Sequence, residues 1–170
     1  CDGRTVQAAD RPTHCLGFPI SSPPLHEKDG RSWWQGLYGM TDLSMKDLVF
    51  VANSWNKAPV LEVDGEGFSS QGYDLGRRAY IVNRNDDAPD GKLTLRLMAD
   101  ESSPVYNPAI VVKNWDQDAL TLTINGKGVK RGKDFRTGVH HTIEGSHVII
   151  WIKTRSTEPT VLTLTPQTSE

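Results

Sequence analysis

From about residue 58 onward the chain alternates apolar and polar residues with period two, in runs too short for anything but strands. Val60, Leu61 and Val63 precede the turn Asp64-Gly65-Glu66-Gly67. Ala79-Tyr80-Ile81-Val82 is a compact β-rich run, and Asn85-Asp86-Asp87-Ala88-Pro89-Asp90-Gly91 after it is a polar loop with turn chemistry. Leu93, Leu95 and Leu97 alternate with Thr94, Arg96 and Met98; Ala109-Ile110-Val111-Val112 follows Pro108. Leu120, Leu122 and Ile124 alternate with Thr121 and Thr123 and run into Asn125-Gly126, the strongest short-range hairpin signal. His147-Val148-Ile149-Ile150-Trp151-Ile152 and the Val161, Leu162, Leu164 run close the series. Eight or nine strands without interleaved helices predict an all-β fold, an antiparallel β-sandwich or jelly roll. No fixed-period repeat supports a propeller or solenoid.

Residues 1–45 have another character. They hold Pro12, Pro19, Pro23 and Pro24, with Gly17, Gly30, Gly36 and Gly39. Proline removes a backbone donor and blocks both helix and central strand, so residues 17–26 read as an irregular, Pro/Gly-rich extended segment. The expectation is one domain over 1–170: residues 1–45 wrapping along a sandwich core built from 46–170. Between them, Thr41 or Ser44 is a possible cap for a short helix, but Leu48-Val49-Phe50-Val51-Ala52 also reads as a buried strand. The strand is the favoured reading.

At 170 residues and 18.9 kDa the chain is long enough for one real core, with about 70% of its surface buried on folding. No run approaches the roughly 18 apolar residues of a membrane span. A net charge of −2 and a pI near 6.2 disfavour a generic grip on nucleic acid. A chain beginning with Cys1 resembles a mature bacterial lipoprotein, although a domain cut from a longer polypeptide is the better fit. Cys1 and Cys15 are the only cysteines. They allow one disulfide, worth about 3 kcal/mol for a 15-residue loop, or stand as two free thiols. Without C-x-x-C there is no redox motif or zinc knuckle.

Several groups point toward chemistry. Trp33 and Trp34, beside Arg31 and between glycines, and Trp55, in Asn53-Ser54-Trp55-Asn56, have few apolar neighbours. Exposed indoles stack on the apolar faces of sugar rings while nearby polar groups take hydroxyls. The alternative for any Trp is the core, which suits Trp115 and Trp151. Lys127, Lys130, Arg131, Lys133 and Arg136 form a local basic stretch in a slightly acidic chain. It suits a uronate or sulfate, with arginine supplying bidentate contacts; the alternative is a solvated strand edge guarded by lysine. Tyr73, Arg77, Arg78 and Tyr80 are close in sequence. β-Elimination of a uronate needs a base such as Tyr or His and a cation on the carboxylate, so these residues with His140 are the alternative catalytic set. Adjacent His140 and His141 point to opposite faces of a strand and do not ligate one metal without a bulge. Residues 64–67 lack the spacing of an EF-hand loop and read as a plain turn. The P-loop, Rossmann, G-x-S-x-G and H-E-x-x-H signatures do not occur. The sequence implies no cofactor and no metal site.

Ser103-Pro104-Val105-Tyr106-Asn107-Pro108, Asn114-Trp115, Leu122-Thr123-Ile124-Asn125-Gly126-Lys127, Gly132-Lys133-Asp134-Phe135-Arg136 and Val148-Ile149-Ile150-Trp151-Ile152 together resemble the β-sandwich modules appended to polysaccharide-degrading proteins. The resemblance covers roughly residues 92–165 and is one of texture, without a diagnostic motif. It implies an accessory role, with a polysaccharide as partner, a catalytic domain on the same parent polypeptide, and a secreted, periplasmic or cell-surface bacterial setting. The leading expectation is therefore a noncatalytic carbohydrate-binding module for an acidic polysaccharide. The alternatives are a small polysaccharide lyase and a structural module that packs on a catalytic domain.

Overall fold

The computed structural model describes residues 6–8, 11–15, 20–21, 34–35, 40–41, 43–85, 91–117, 119–143 and 145–167. The chain divides into two compact units, Cys1–Ala52 and Asn53–Glu170.

In the first unit the described backbone is a set of short strands: β1 (Val6–Ala8), β2 (Arg11–Cys15), β3 (Ile20–Ser21), β4 (Trp34–Gln35) and β5 (Met40–Thr41). They form a three-stranded sheet in the order β1-β2-β5 and a separate β3-β4 pair. The five-residue strand β2 contains Pro12, which faces Gln7 of β1, while β5 pairs only with His14 and Cys15. Among the described residues Pro12 has a strand neighbour on one side alone, the position at which a missing donor is tolerated.

Helix α1 (Met45–Asn56) replaces the strand expected over residues 48–52. Its start explains the correction. The Asp47 amide donates to Ser44 Oγ at 3.2 Å, and the Ser44 hydroxyl donates to the Asp47 carboxylate at 2.6 Å. Ser44 thus caps the helix, with an acid in the first turn where the helix dipole favours it. Leu48 and Val51 are buried three residues apart while Val49 is exposed, a helical and not a strand periodicity.

The second unit is a β-sandwich. Its strands are β6 (Val60–Asp64), β7 (Phe68–Asp74), β8 (Ala79–Arg84), β9 (Leu93–Met98), β10 (Val105–Tyr106), β11 (Ala109–Lys113), β12 (Leu120–Ile124), β13 (Lys127–Val129), β14 (Phe135–Thr142), β15 (Gly145–Ile152), β16 (Arg155–Ser156) and β17 (Thr160–Pro166). One five-stranded sheet has the order β13-β12-β17-β9-β6 and is antiparallel throughout. The other has the order β14-β15-β11-β8-β7 and is mixed, because β11 runs parallel to β8. The all-β sandwich expectation holds, with this one parallel pair among the described residues: residues between β8 and β11 pass through β9 in the opposite sheet before returning, as a parallel neighbour requires.

One hydrophobic core joins the two inner faces. Leu93, Leu95, Leu97, Leu162 and Leu164 supply it from the antiparallel sheet; Val82, Ile110, Val112, Val148, Ile150 and Ile152 supply it from the mixed sheet. Trp115 is in this core, edge-on to Phe68 with ring centroids 5.6 Å apart. The Asn125-Gly126 pair makes the expected β12-β13 hairpin, with φ of 49° and 78°, the two positive values that a type I′ turn needs. Two strands lack a clear period-two signal in the sequence. β7 is polar and carries a bulge between Ser70 and Gly72; β14 has a glycine and two histidines in its eight residues.

Candidate binding site at one end of the mixed sheet

The parallel β8-β11 pair decides where the site lies. Both strands begin at the same end, in register at Ala79 and Ala109. The residues that precede them, Arg77-Arg78 and Tyr106-Asn107-Pro108, therefore lie side by side although about thirty positions separate them, whereas antiparallel neighbours start at opposite ends. Across all five strands this end of the sheet is the row Arg136, Trp151, Ala109, Ala79, Asp74.

A small surface cleft of about 20 Å³, open to solvent, occupies the β8 side of this end. Trp55, Tyr73, Arg78, Tyr80, Tyr106 and Asn107 are among its walls. Trp55, half-buried, comes from the last turn of α1, and the Arg78 guanidinium stacks over its ring with 4.1 Å from Cζ to the centroid. The turn over residues 75–78 aims this arginine. Asp74 Oδ1 accepts the Arg77 amide at 2.9 Å, and the Asp74 carboxylate pairs with the Arg77 side chain at 3.5 Å. Arg78 itself has φ of +52°, a left-handed conformation that costs a residue with a Cβ about 1–2 kcal/mol. Asn107, φ +43°, fixes the opposite wall: its amide donates to the Thr154 carbonyl at 2.8 Å and its Oδ1 accepts the Thr154 amide at 3.2 Å. Asparagine tolerates this backbone region better than most residues.

The two tyrosines are packed, not poised. Their rings meet edge to face at 5.0 Å. Tyr80 is buried and its hydroxyl donates to the Pro59 carbonyl at 3.0 Å. Burial pushes the Tyr80 phenol well above its ordinary value, and neighbouring Tyr73 adds to the effect. Burial also raises Tyr73; the Arg78 cation pulls it back, and Asp74 opposes that pull. Both phenols are therefore neutral donors or acceptors at neutral pH, and a general base needs the opposite shift.

The remaining candidates lie elsewhere. Arg77 is held by Asp74 rather than turned to the cleft. Lys130, Arg131 and Lys133 are exposed on a tight loop between β13 and β14. The Lys130 amide donates to Asp134 Oδ2 at 3.0 Å, the Asp134 amide to the Lys130 carbonyl at 2.8 Å, and the Gly132 amide to the Phe135 carbonyl at 2.7 Å. Arg136 sits over Trp151, 5.8 Å from its ring centroid. His140 faces His147 four residues further along β14, about 14 Å from the Arg136 row, so it does not join Tyr73 and Arg78. His141 lies on the other face, with Nδ1 2.8 Å from Ser146 Oγ. Trp34 and Cys15 fall on β4 and β2; Arg31, Trp33 and Cys1, and with Cys1 the expected disulfide, lie outside the described residues.

Tyr106 and Asn107 are cleft residues that sequence reasoning did not single out as a site. The available signal was Pro104 and Pro108 bracketing a polar pair, which marks a fixed, non-helical loop. Among the described residues no helix is long and apolar enough to cross a membrane, and no three His, Cys, Asp or Glu side chains gather as a metal site. No protein-family model matches the chain, and searches of curated proteins and of solved structures find no significant match.

Proposed function

We propose that this protein is a noncatalytic carbohydrate-binding module and that the cleft between Trp55, Arg78, Tyr106 and Asn107 is its sugar site. The observation that carries this reading is the Trp55-Arg78 stack at the cleft wall. The indole holds the guanidinium flat at the cleft wall, the guanidinium N–H groups take a carboxylate or ring hydroxyls, and the Tyr106 and Asn107 walls add polar partners. An arginine held in a strained backbone conformation supports the same reading, because strain of this kind persists where the surroundings over-determine a useful geometry. The upward-shifted phenols favour binding over β-elimination. A polysaccharide ligand places the protein outside the cytoplasm, at the cell surface or in secreted form, next to the enzymes that process it.

The test is a glycan array spanning neutral, uronate and sulfated polymers, run with the wild type and Trp55→Ala. Retention on at least one polymer, lost in Trp55→Ala at an unchanged unfolding midpoint, supports the cleft. Equal retention of the two proteins removes it. Growth of unsaturated-uronate absorbance on incubation with a polyuronate overturns the noncatalytic reading in favour of a lyase, and no affinity for any glycan leaves a structural module.

A further inference from the structure

Two cationic groups that are far apart in the chain end up at the same end of the same sheet. Arg78 precedes β8 and the 130–134 loop precedes β14. Between these strands lie only β15 and β11, so the separation is three strand spacings, about 14 Å. The gap is not neutral. Residues 153–155, which leave the end of β15, carry Lys153 and Arg155, both exposed.

Hydrogen bonds make the arrangement continuous. The Lys153 amide donates to the Asp134 carbonyl at 2.7 Å, tying this segment to the basic loop. The Asn107-Thr154 exchange ties the next residue to the cleft wall. Arg155 then pairs with Tyr106 in the short β10-β16 ladder. The segments that carry Lys130, Lys133, Arg136, Lys153, Arg155 and Arg78 are thus linked along the sheet end. The carboxylates on these same segments are Asp134, Asp74 and Glu158. Asp134 accepts the Lys130 amide and Asp74 is paired with Arg77; Glu158, in the turn after β16, is the next one along the chain.

We infer that the ligand is a polyanionic glycan, rich in uronate or sulfate, whose chain lies across the end of the mixed sheet from the Trp55-Arg78 cleft to the 130–134 loop, with Lys153 and Arg155 holding its middle. The inference rests on the carbohydrate reading of the cleft. It adds the charge of the ligand, its minimum length and its direction of travel. A row of exposed cations acts by summed field and by several weak ion pairs, each screened by salt. The chain as a whole is slightly acidic, so the local run of cations and not the net charge would carry the attraction.

The test is calorimetry of the full chain with uronate oligosaccharides from disaccharide to hexasaccharide, at low and high salt, beside a single-stranded oligonucleotide of equal charge. The hexasaccharide is expected to bind roughly tenfold more tightly than the disaccharide, the sum of a few exposed ion pairs. High salt should erase that gain. Lys153→Gln combined with Lys133→Gln should erase most of it while leaving the disaccharide unchanged; Trp55→Ala should weaken both ligands. The salt dependence of the wild type is a readout free of any variant's folding. A hexasaccharide no tighter than the disaccharide, with Trp55→Ala still harmful, overturns the band and spares the cleft. Loss of all glycan binding overturns the cleft itself, and an oligonucleotide that binds as tightly as the hexasaccharide overturns the choice of a glycan.

Discussion

The two sheets of the sandwich share a core but divide the work. In the antiparallel sheet each central strand buries one face: Leu93, Leu95 and Leu97 point inward while Arg96 and Met98 stay exposed. In the mixed sheet β8 buries its first four residues in succession, and Ala79, Ile81 and Val111 form a second apolar cluster on the face away from the core. Continuous burial of this kind is the habit of parallel strands. The difference has a consequence for function. Antiparallel neighbours send consecutive loops to alternate ends, which keeps each end chemically simple. A parallel pair collects two entry loops at one end, and here those loops carry Arg78 and Asn107.

The largest test of this comparison asks whether the core really is common. Leu95→Ala from the antiparallel sheet and Ile110→Ala from the mixed sheet remove side chains with no exposed surface, and each is expected to cost about 2–5 kcal/mol in denaturant unfolding. A full cost in one sheet and almost none in the other would break the single-core picture. Next is alkaline titration followed by tyrosinate absorbance. A phenol raised in the folded state stabilises fully below the unfolded phenol value near 10, and that contribution is lost as pH climbs beyond it. Tyr80 should therefore ionise only together with unfolding; earlier ionisation would mean that its ring is open to water. Arg78→Gly should change stability by no more than about 1 kcal/mol, since release of backbone strain offsets a cation–π contact of about 0.5–1 kcal/mol. The same variant should lose glycan binding, which separates the strain from the packing. The smallest effect belongs to the other sheet: Arg96→Gln, exposed on β9, should stay within about 0.5 kcal/mol of wild type and leave glycan affinity intact. A drop in affinity there would move the site.

How much of this was legible in the sequence depends on range. The Leu/Thr alternation of β9, β12 and β17 and the Asn125-Gly126 turn are local signals, and the structure follows them. Strand β7 escaped because only Phe68 and Tyr73 at its two ends pack against the core, and β14 because its inward run of Phe135, Thr137 and Val139 includes a threonine and gives way to two histidines. The helix was misread because five apolar residues in a row fit either period; the Ser44 cap and the spacing of Leu48 and Val51 decide it. At the site, Trp55, Tyr73, Arg78 and Tyr80 were all named from sequence, but as members of two different hypotheses. The β7-β8 hairpin gathers Tyr73, Arg78 and Tyr80, helix α1 brings Trp55 to Arg78, and parallel pairing of β8 with β11 adds Tyr106 and Asn107; no short window of sequence carries the last two steps. Lys153 and Arg155 passed unremarked for the same reason: two cations around a threonine gain meaning only from what lies on either side in space.

The bulge in β7 bears on how the molecule behaves in company. β7 ends the mixed sheet, and a flat, regular strand in that place is a template onto which a second chain can add. The register shift between Ser70 and Gly72 breaks that template, and the Lys113 ammonium donating to Gln71 at 3.0 Å anchors the extra residue to the interior strand β11. At the opposite edge β14 presents Arg136 and His140 outward. Beside a second copy of this chain, both edges therefore work against pairing into a shared sheet.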